Sequence, residues 1–180
     1  TLLLALARQR STWGLAWLGL ASGRLGLAEC GEAELATWLA RLDPAEVLVE
    51  RDDLLPAAAL PLRAARTLRP AWQFDATLGE RKLRELLGVA TLAGYDAAEL
   101  ALAQAAAAAL LSYAEHTQGQ ALAHVGALTV ERASELVNLP PATVRNLELL
   151  QTLRGESGPD APTLLGRLDT CRSGMGSRAL

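Results

Sequence analysis

The chain has 180 residues, a formal net charge of −3 and 51% hydrophobic residues, most of them Ala and Leu. That length accommodates one domain with a sizeable core, or one domain and part of another. No apolar run reaches the roughly 18 to 20 residues of a membrane span, and the acidic balance argues against a self-sufficient DNA-binding domain, which carries a basic patch or stripe.

The first apolar run is Leu2 to Ala7, bounded by Arg8-Gln-Arg-Ser11. Trp13 to Leu20 is the second and Leu25 to Ala28 the third, with Ser22-Gly23 between them as a hairpin turn signal. Together they predict an antiparallel meander. The near-continuous apolar character of the first two strands predicts cover on both faces of the sheet. Leu35, Trp38, Leu39 and Leu42 fall at i, i+3, i+4 and i+7, one stripe of a helix that Pro44 ends. Glu46 to Glu50 is then a short strand, and a right-handed crossover adds it to the meander in parallel.

Asp52-Asp53 and Pro56 to Pro61 read as loop. Leu62 to Leu68 is predicted as a short helix broken at Arg69-Pro70, and Trp72-Gln-Phe74 as a last short strand. Thr77-Leu-Gly-Glu80 fits a capping box, with the Thr hydroxyl accepting from the Glu80 amide. The helix it opens is stopped by Gly88. Leu83, Leu86 and Leu87 face inward; Arg81, Lys82, Arg84 and Glu85 face outward. Asp96-Ala-Ala-Glu99 is a second capping signal, opening a long Ala-rich helix over 97–115 that reads as a link to the C-terminal helices. Leu122 to Val130 reads as extended or irregular. Pro140-Pro141 suits the first turn of another helix, with Leu147 and Leu150 buried, and Pro162 begins the last one. The expected architecture is α/β followed by α. The chain begins without Met inside a strand-like run and stops inside a helical pattern, so a fragment of a longer protein is expected.

Catalytic patterns are scarce. A phosphate loop of the Walker type needs a Lys among glycines, and the single lysine, Lys82, lies on a capped helix. Gly174-Met-Gly-Ser-Arg178 lacks the preceding strand of a nucleophile elbow. Two-metal nuclease chemistry needs carboxylates from neighbouring strands, yet the first two strands hold no Asp or Glu, and Glu46 and Glu50 read as solvated strand ends. Cys30 and Cys171 are far apart, and His116 and His124 are isolated, so reduced thiols and no metal are expected. Arg8 and Arg10 follow the first apolar run, the reverse of a signal peptide, which points to the cytoplasm. Arg145 and Glu148 share a helix face, and Asp169 and Arg178 read as an ion pair or surface groups.

Several pieces resemble, in order and spacing, the MutS family of bacterial DNA mismatch repair proteins. They are Trp13-Gly14, Ser22-Gly23, Pro44-Ala-Glu46, Trp72-Gln-Phe74, Gly94-Tyr95 and Ser112-Tyr-Ala-Glu-His-Thr-Gln118. Leu122-Ala-His-Val125 fits the entry to the family's core domain, followed by Ala142-Thr-Val-Arg145-Asn146-Leu-Glu148, Leu168-Asp169-Thr and Met175-Gly-Ser-Arg178. The first core helix departs from the family pattern by the loss of an Asp and an Arg. The resemblance implies a ribonuclease H-like connector domain over 1–118, non-catalytic, and a truncated start of the all-α core or lever domain over 119–180. It implies a segment that links mismatch recognition to the ATPase and offers a docking surface for a MutL partner. Arg81, Lys82, Arg84 and Glu85 are placed near that surface by position; Arg145, Asn146, Glu148, Asp169 and Arg178 belong to core-domain motifs with structural roles. ATP and magnesium are expected only in the full-length protein, which would act as a dimer on mismatched DNA. A divergent ribonuclease H-like nuclease and an unrelated helical adaptor are the alternatives.

Overall fold

The structure is a computed structural model and describes residues 1–51, 64–117 and 121–132. Its first three strands are β1 (Leu2–Gln9), β2 (Thr12–Gly19) and β3 (Arg24–Gly31). They form the predicted meander. β1 and β2 pair antiparallel from Leu2 opposite Gly19 to Gln9 opposite Thr12, leaving Arg10-Ser11 as a tight turn with Arg10 at φ 57. β2 and β3 pair from Thr12 opposite Gly31 to Leu18 opposite Leu25. Gly23, at φ 65, turns the chain there, in the left-handed region that an L side chain enters only with strain.

Strand periodicity sorts the side chains between two cores. Leu3, Ala5 and Ala7 of β1 pack on one face with Ala16, Leu18, Leu25 and Leu27. Leu4 and Leu6 pack on the other with Trp13, Leu15, Trp17, Ala28 and Cys30. Both faces are thus covered, as the apolar runs require. On the second face lies α1 (Leu35–Leu42), which buries Leu35, Trp38 and Leu39, the predicted stripe. Asp43 closes it in a left-handed conformation, donating its amide to the Leu39 carbonyl. β4 (Glu46–Val49) then adds to β1 in parallel.

Two expectations fail in the next segment. Of the short helix expected over Leu62 to Leu68, residues 62–63 lie outside the described residues, and residues 65–68 form strand β5 (Ala65–Leu68), parallel to β4. The β4 edge offers a free ladder, and the Ala65 and Arg69 amides donate to the Ala45 and Val49 carbonyls. Four residues are too few for periodicity to separate strand from helix. Trp72-Gln-Phe74 is not a strand either: Ala71–Gln73 is a 3₁₀ turn. Pro70, held at φ −55, starts it, and its carbonyl accepts from the Gln73 amide.

The other face carries α2 (Ala76–Leu87) and α3 (Ala101–Thr117), packed on each other. The cap of α2 is Asp75, not Thr77. Asp75 is extended and its Oδ1 accepts from the Leu78 amide at 2.7 Å, whereas Thr77 is exposed inside the first turn. Helix entry falls right after the 3₁₀ turn, so the residue able to stay extended there takes the capping role. Gly88 ends α2 at φ 66, as predicted.

Asp96 does not open α3. It closes a 3₁₀ turn over Ala93–Tyr95 in a left-handed conformation. The exposed start of α3 is capped from across the fold: Glu29 of β3 accepts from the Leu102 and Ala103 amides at 2.9 and 3.1 Å. Nor is α3 a linker. Ala103 and Ala105 to Leu111 are buried, and the helix packs along β1 and β2. Its alanines permit close approach. A Cβ on Gly14 would stand 2.3 Å from the Leu102 carbonyl carbon, and one on Gly79 would stand 1.8 Å from the Gln104 carbonyl oxygen.

Beyond α3, residues 127–130 are extended, as the sequence suggests, but they join the sheet and do not begin an all-α domain. They form β6 (Ala127–Val130), parallel to β3. Leu128 is buried there, and Val125 before it belongs to the α3-side core. The sheet therefore draws its last strand from beyond residue 118, where the sequence suggests a domain boundary. The order is β5-β4-β1-β2-β3-β6. A six-stranded mixed sheet thus has α1 on one face and α2 and α3 on the other.

Candidate partner-binding surface

Carboxylates do not converge into a reaction centre among the described residues, and no group of three or more His, Cys, Asp or Glu is placed to hold a metal. Glu46, the strand carboxylate worth checking for nuclease chemistry, is engaged. Its Oε1 accepts from the Thr67 hydroxyl at 2.6 Å and the Tyr113 phenol at 2.7 Å. That bond, followed by burial and the Glu46 charge, pushes the Tyr113 phenol above its ordinary range. Arg69 stacks over the Tyr113 ring at 5.4 Å and donates to the buried Gln73 side chain. This network joins β4, β5, α3 and the 3₁₀ turn, so its role is to tie elements together.

Cys30 is buried on the α1 side of the sheet. Desolvation first, then the Glu34 and Glu32 carboxylates, push its thiol up to about 12. It is therefore an inert thiol at neutral pH. A polar crevice of about 440 Å³ lies between the β1–β2 turn and the start of α3, with Arg10, Glu29 and Glu99 among its walls. Its Glu29 is committed to capping α3.

The outer side of α2 is where the sequence places partner-binding residues, and the structure separates them. Lys82 is mostly covered and pairs with Glu115 of α3 at 2.7 Å. It closes the α2–α3 seam and is not an outward charge. Arg84 lies 3.8 Å from Glu80 one turn back and donates to the Ala90 carbonyl at 3.3 Å. Arg81 and Glu85 are exposed. Arg81 makes no hydrogen bond or ion pair among the described residues and lines a shallow groove of about 370 Å³ with Trp72, Asp75, Thr77 and Leu78.

Trp72 is what sequence reasoning missed. Placed in a strand, it would have been half-covered; on the 3₁₀ turn it is 71% exposed. Only Leu68, 53% exposed, is comparable among the large apolar side chains of the described residues. The signal available was Pro70 two residues earlier, which favours a turn over a ladder. Arg145, Asn146, Glu148, Asp169 and Arg178 lie outside the described residues.

The candidate contact site that the described residues offer is the shallow groove carrying Trp72 and Arg81 on a layered α/β body. The family model for MutS domain II matches residues 1–126, and the chain belongs to that family. It is a segment of a MutS-like mismatch repair protein, and domain II of that family is a non-catalytic connector. No helix among the described residues is long and apolar enough to cross a membrane.

Proposed function

We propose that the chain is the connector, with the start of the core or lever domain, of a bacterial MutS protein acting in the cytoplasm. It links mismatch recognition to the ATPase and docks a MutL partner on the outer side of α2. The observation that carries this reading is the family match over 1–126, which spans both cores of the sheet up to the residue before β6. The strand order β3-β2-β1-β4-β5, with β2 alone antiparallel to its neighbours, supports a ribonuclease H-like connector. Its proposed extent includes β6, with the all-α core coming after it.

Mechanically, the connector transmits displacement because it is stiff. Close backbone contacts at Gly14 and Gly79 leave α2, α3 and the sheet little freedom to slide. The exit strand is tied down as well: Glu131 pairs with Arg41, whose guanidinium lies 4.4 Å above the Trp38 ring. Mismatch reading, ATP with magnesium and dimer contacts belong to the remaining domains of the full-length protein. The test uses that protein on mismatched DNA. Adding MutL should slow amide hydrogen exchange over residues 71–88. Protection confined to other domains would remove the docking role from this surface.

A further inference from the structure

Resting on the proposed docking role of α2, we infer that the Trp72–Arg81 groove receives a MutL segment that presents an apolar side chain next to a carboxylate. The argument begins with charge. α2 and its neighbours neutralise most of their own ions: Lys82 against Glu115, Arg84 against Glu80, and Asp75 on the Leu78 amide. The one cation left lining the groove is Arg81, exposed and unpaired among the described residues. A guanidinium in this position takes a carboxylate in a two-pronged contact.

The second half of the recognition is the Trp72 indole. The residue is 71% exposed and lines the same groove, which is too shallow to enclose a small molecule. A flat indole next to an arginine is the composition of a protein–protein hot spot. Nucleic acid fits poorly. A phosphate backbone needs several cations, and here one Arg stands among Asp75, Glu80 and Glu85. A peptide segment supplies one carboxylate without bringing a run of negative charge against those acids.

The groove is also preformed. Pro70 and the 3₁₀ bonds fix the Trp72 backbone, and the Asp75 cap fixes the first turn of α2, which carries Leu78 and leads to Arg81. Binding therefore requires little ordering of the receptor side.

The experiment compares the full-length protein with its Trp72→Ala, Arg81→Gln and Arg81→Lys variants on mismatched DNA, with purified MutL as the probe. Recruitment is read as an apparent Kd at low and high salt. Trp72→Ala and Arg81→Gln should each weaken MutL binding about thirtyfold, the lower bound of a hot-spot truncation, with mismatch binding and ATP turnover unchanged. Arg81→Lys should recover part of the loss, and Arg81→Gln should lower the salt sensitivity of recruitment. Wild-type affinity in both truncations, with residues 71–88 still protected by MutL, would overturn the inference while leaving the docking role intact. Failure of the wild-type protein to recruit MutL would overturn both. A Trp72→Ala variant that loses mismatch binding or domain stability would show that another domain of the same protein covers the ring, which also overturns the inference.

Discussion

Trp38 anchors α1 to the sheet. It is 1% exposed, its ring lies 5.8 Å from that of Trp17, and the Arg41 guanidinium lies over its face. Trp38→Ala should cost about 3 to 5 kcal/mol in denaturant unfolding; a loss under about 1 kcal/mol would mean that the cavity collapses freely. The start of α2 offers a finer comparison. Asp75→Ala removes the observed cap and should cost about 1 kcal/mol, whereas exposed Thr77→Ala should stay within about 0.5 kcal/mol. The reverse ranking would restore the capping box that the sequence suggests. Cys30 gives a pH dependence. Its thiol is raised from 9.0 to about 12, so the folded state holds that proton more tightly than the unfolded chain does. Its contribution is complete below pH 9.0 and is lost as pH climbs toward about 12. Tyr113 shifts in the same direction through Glu46. Urea unfolding across that alkaline window should show falling stability, and Cys30→Ala should have a shallower fall. An unchanged slope in the variant would assign the effect to other groups.

The α2–α3 crossing reverses the usual value of alanine. In an exposed helix interior Gly→Ala stabilises by roughly 1 kcal/mol. Gly79 is buried at the crossing, and a Cβ there would meet the Gln104 carbonyl oxygen at 1.8 Å. Gly79→Ala should therefore destabilise, by about 1 to 3 kcal/mol for overpacking. Thermal unfolding decides the sign, and a gain in stability would mean that the helices can separate at little cost. The same contact explains the composition of α3. A helix pressed against both a sheet and a second helix has room for Ala where an ordinary core helix carries Leu. Its lack of a one-sided stripe reflects burial around most of its circumference.

At the scale of the whole molecule, charge and the absence of a phosphate-loop motif point the same way. With a net charge of −3, the chain has no broad attraction for a phosphate backbone. It should show no submicromolar preference for mismatched over matched DNA in fluorescence anisotropy at physiological salt, and no ATP turnover. Selective binding by this chain alone would give it a reading role that the connector proposal assigns to other domains.

The meander, α1 with its Trp38 stripe, the parallel return of β4 and the Gly88 stop were legible in the sequence alone. Each is written in local periodicity or in a residue with a fixed backbone preference. The ordered motifs of the sequence also led to the MutS family. Tertiary structure decided where local signals were weak or supplied from afar. β5 and β6 have four residues each and exist because β4 and β3 offer ladders. The cap of α3 comes from Glu29, 73 residues from Leu102, which no local pattern encodes. The site divided in the same way. The exposed charges of α2 were legible from helical spacing, but spacing does not tell a paired cation from a free one. Lys82 finds Glu115 across the seam, Arg81 finds no described partner, and Trp72 stays in solvent because a turn, not a strand, carries it. Pairing and exposure depend on which elements meet, and that is settled only when the sheet and helices pack.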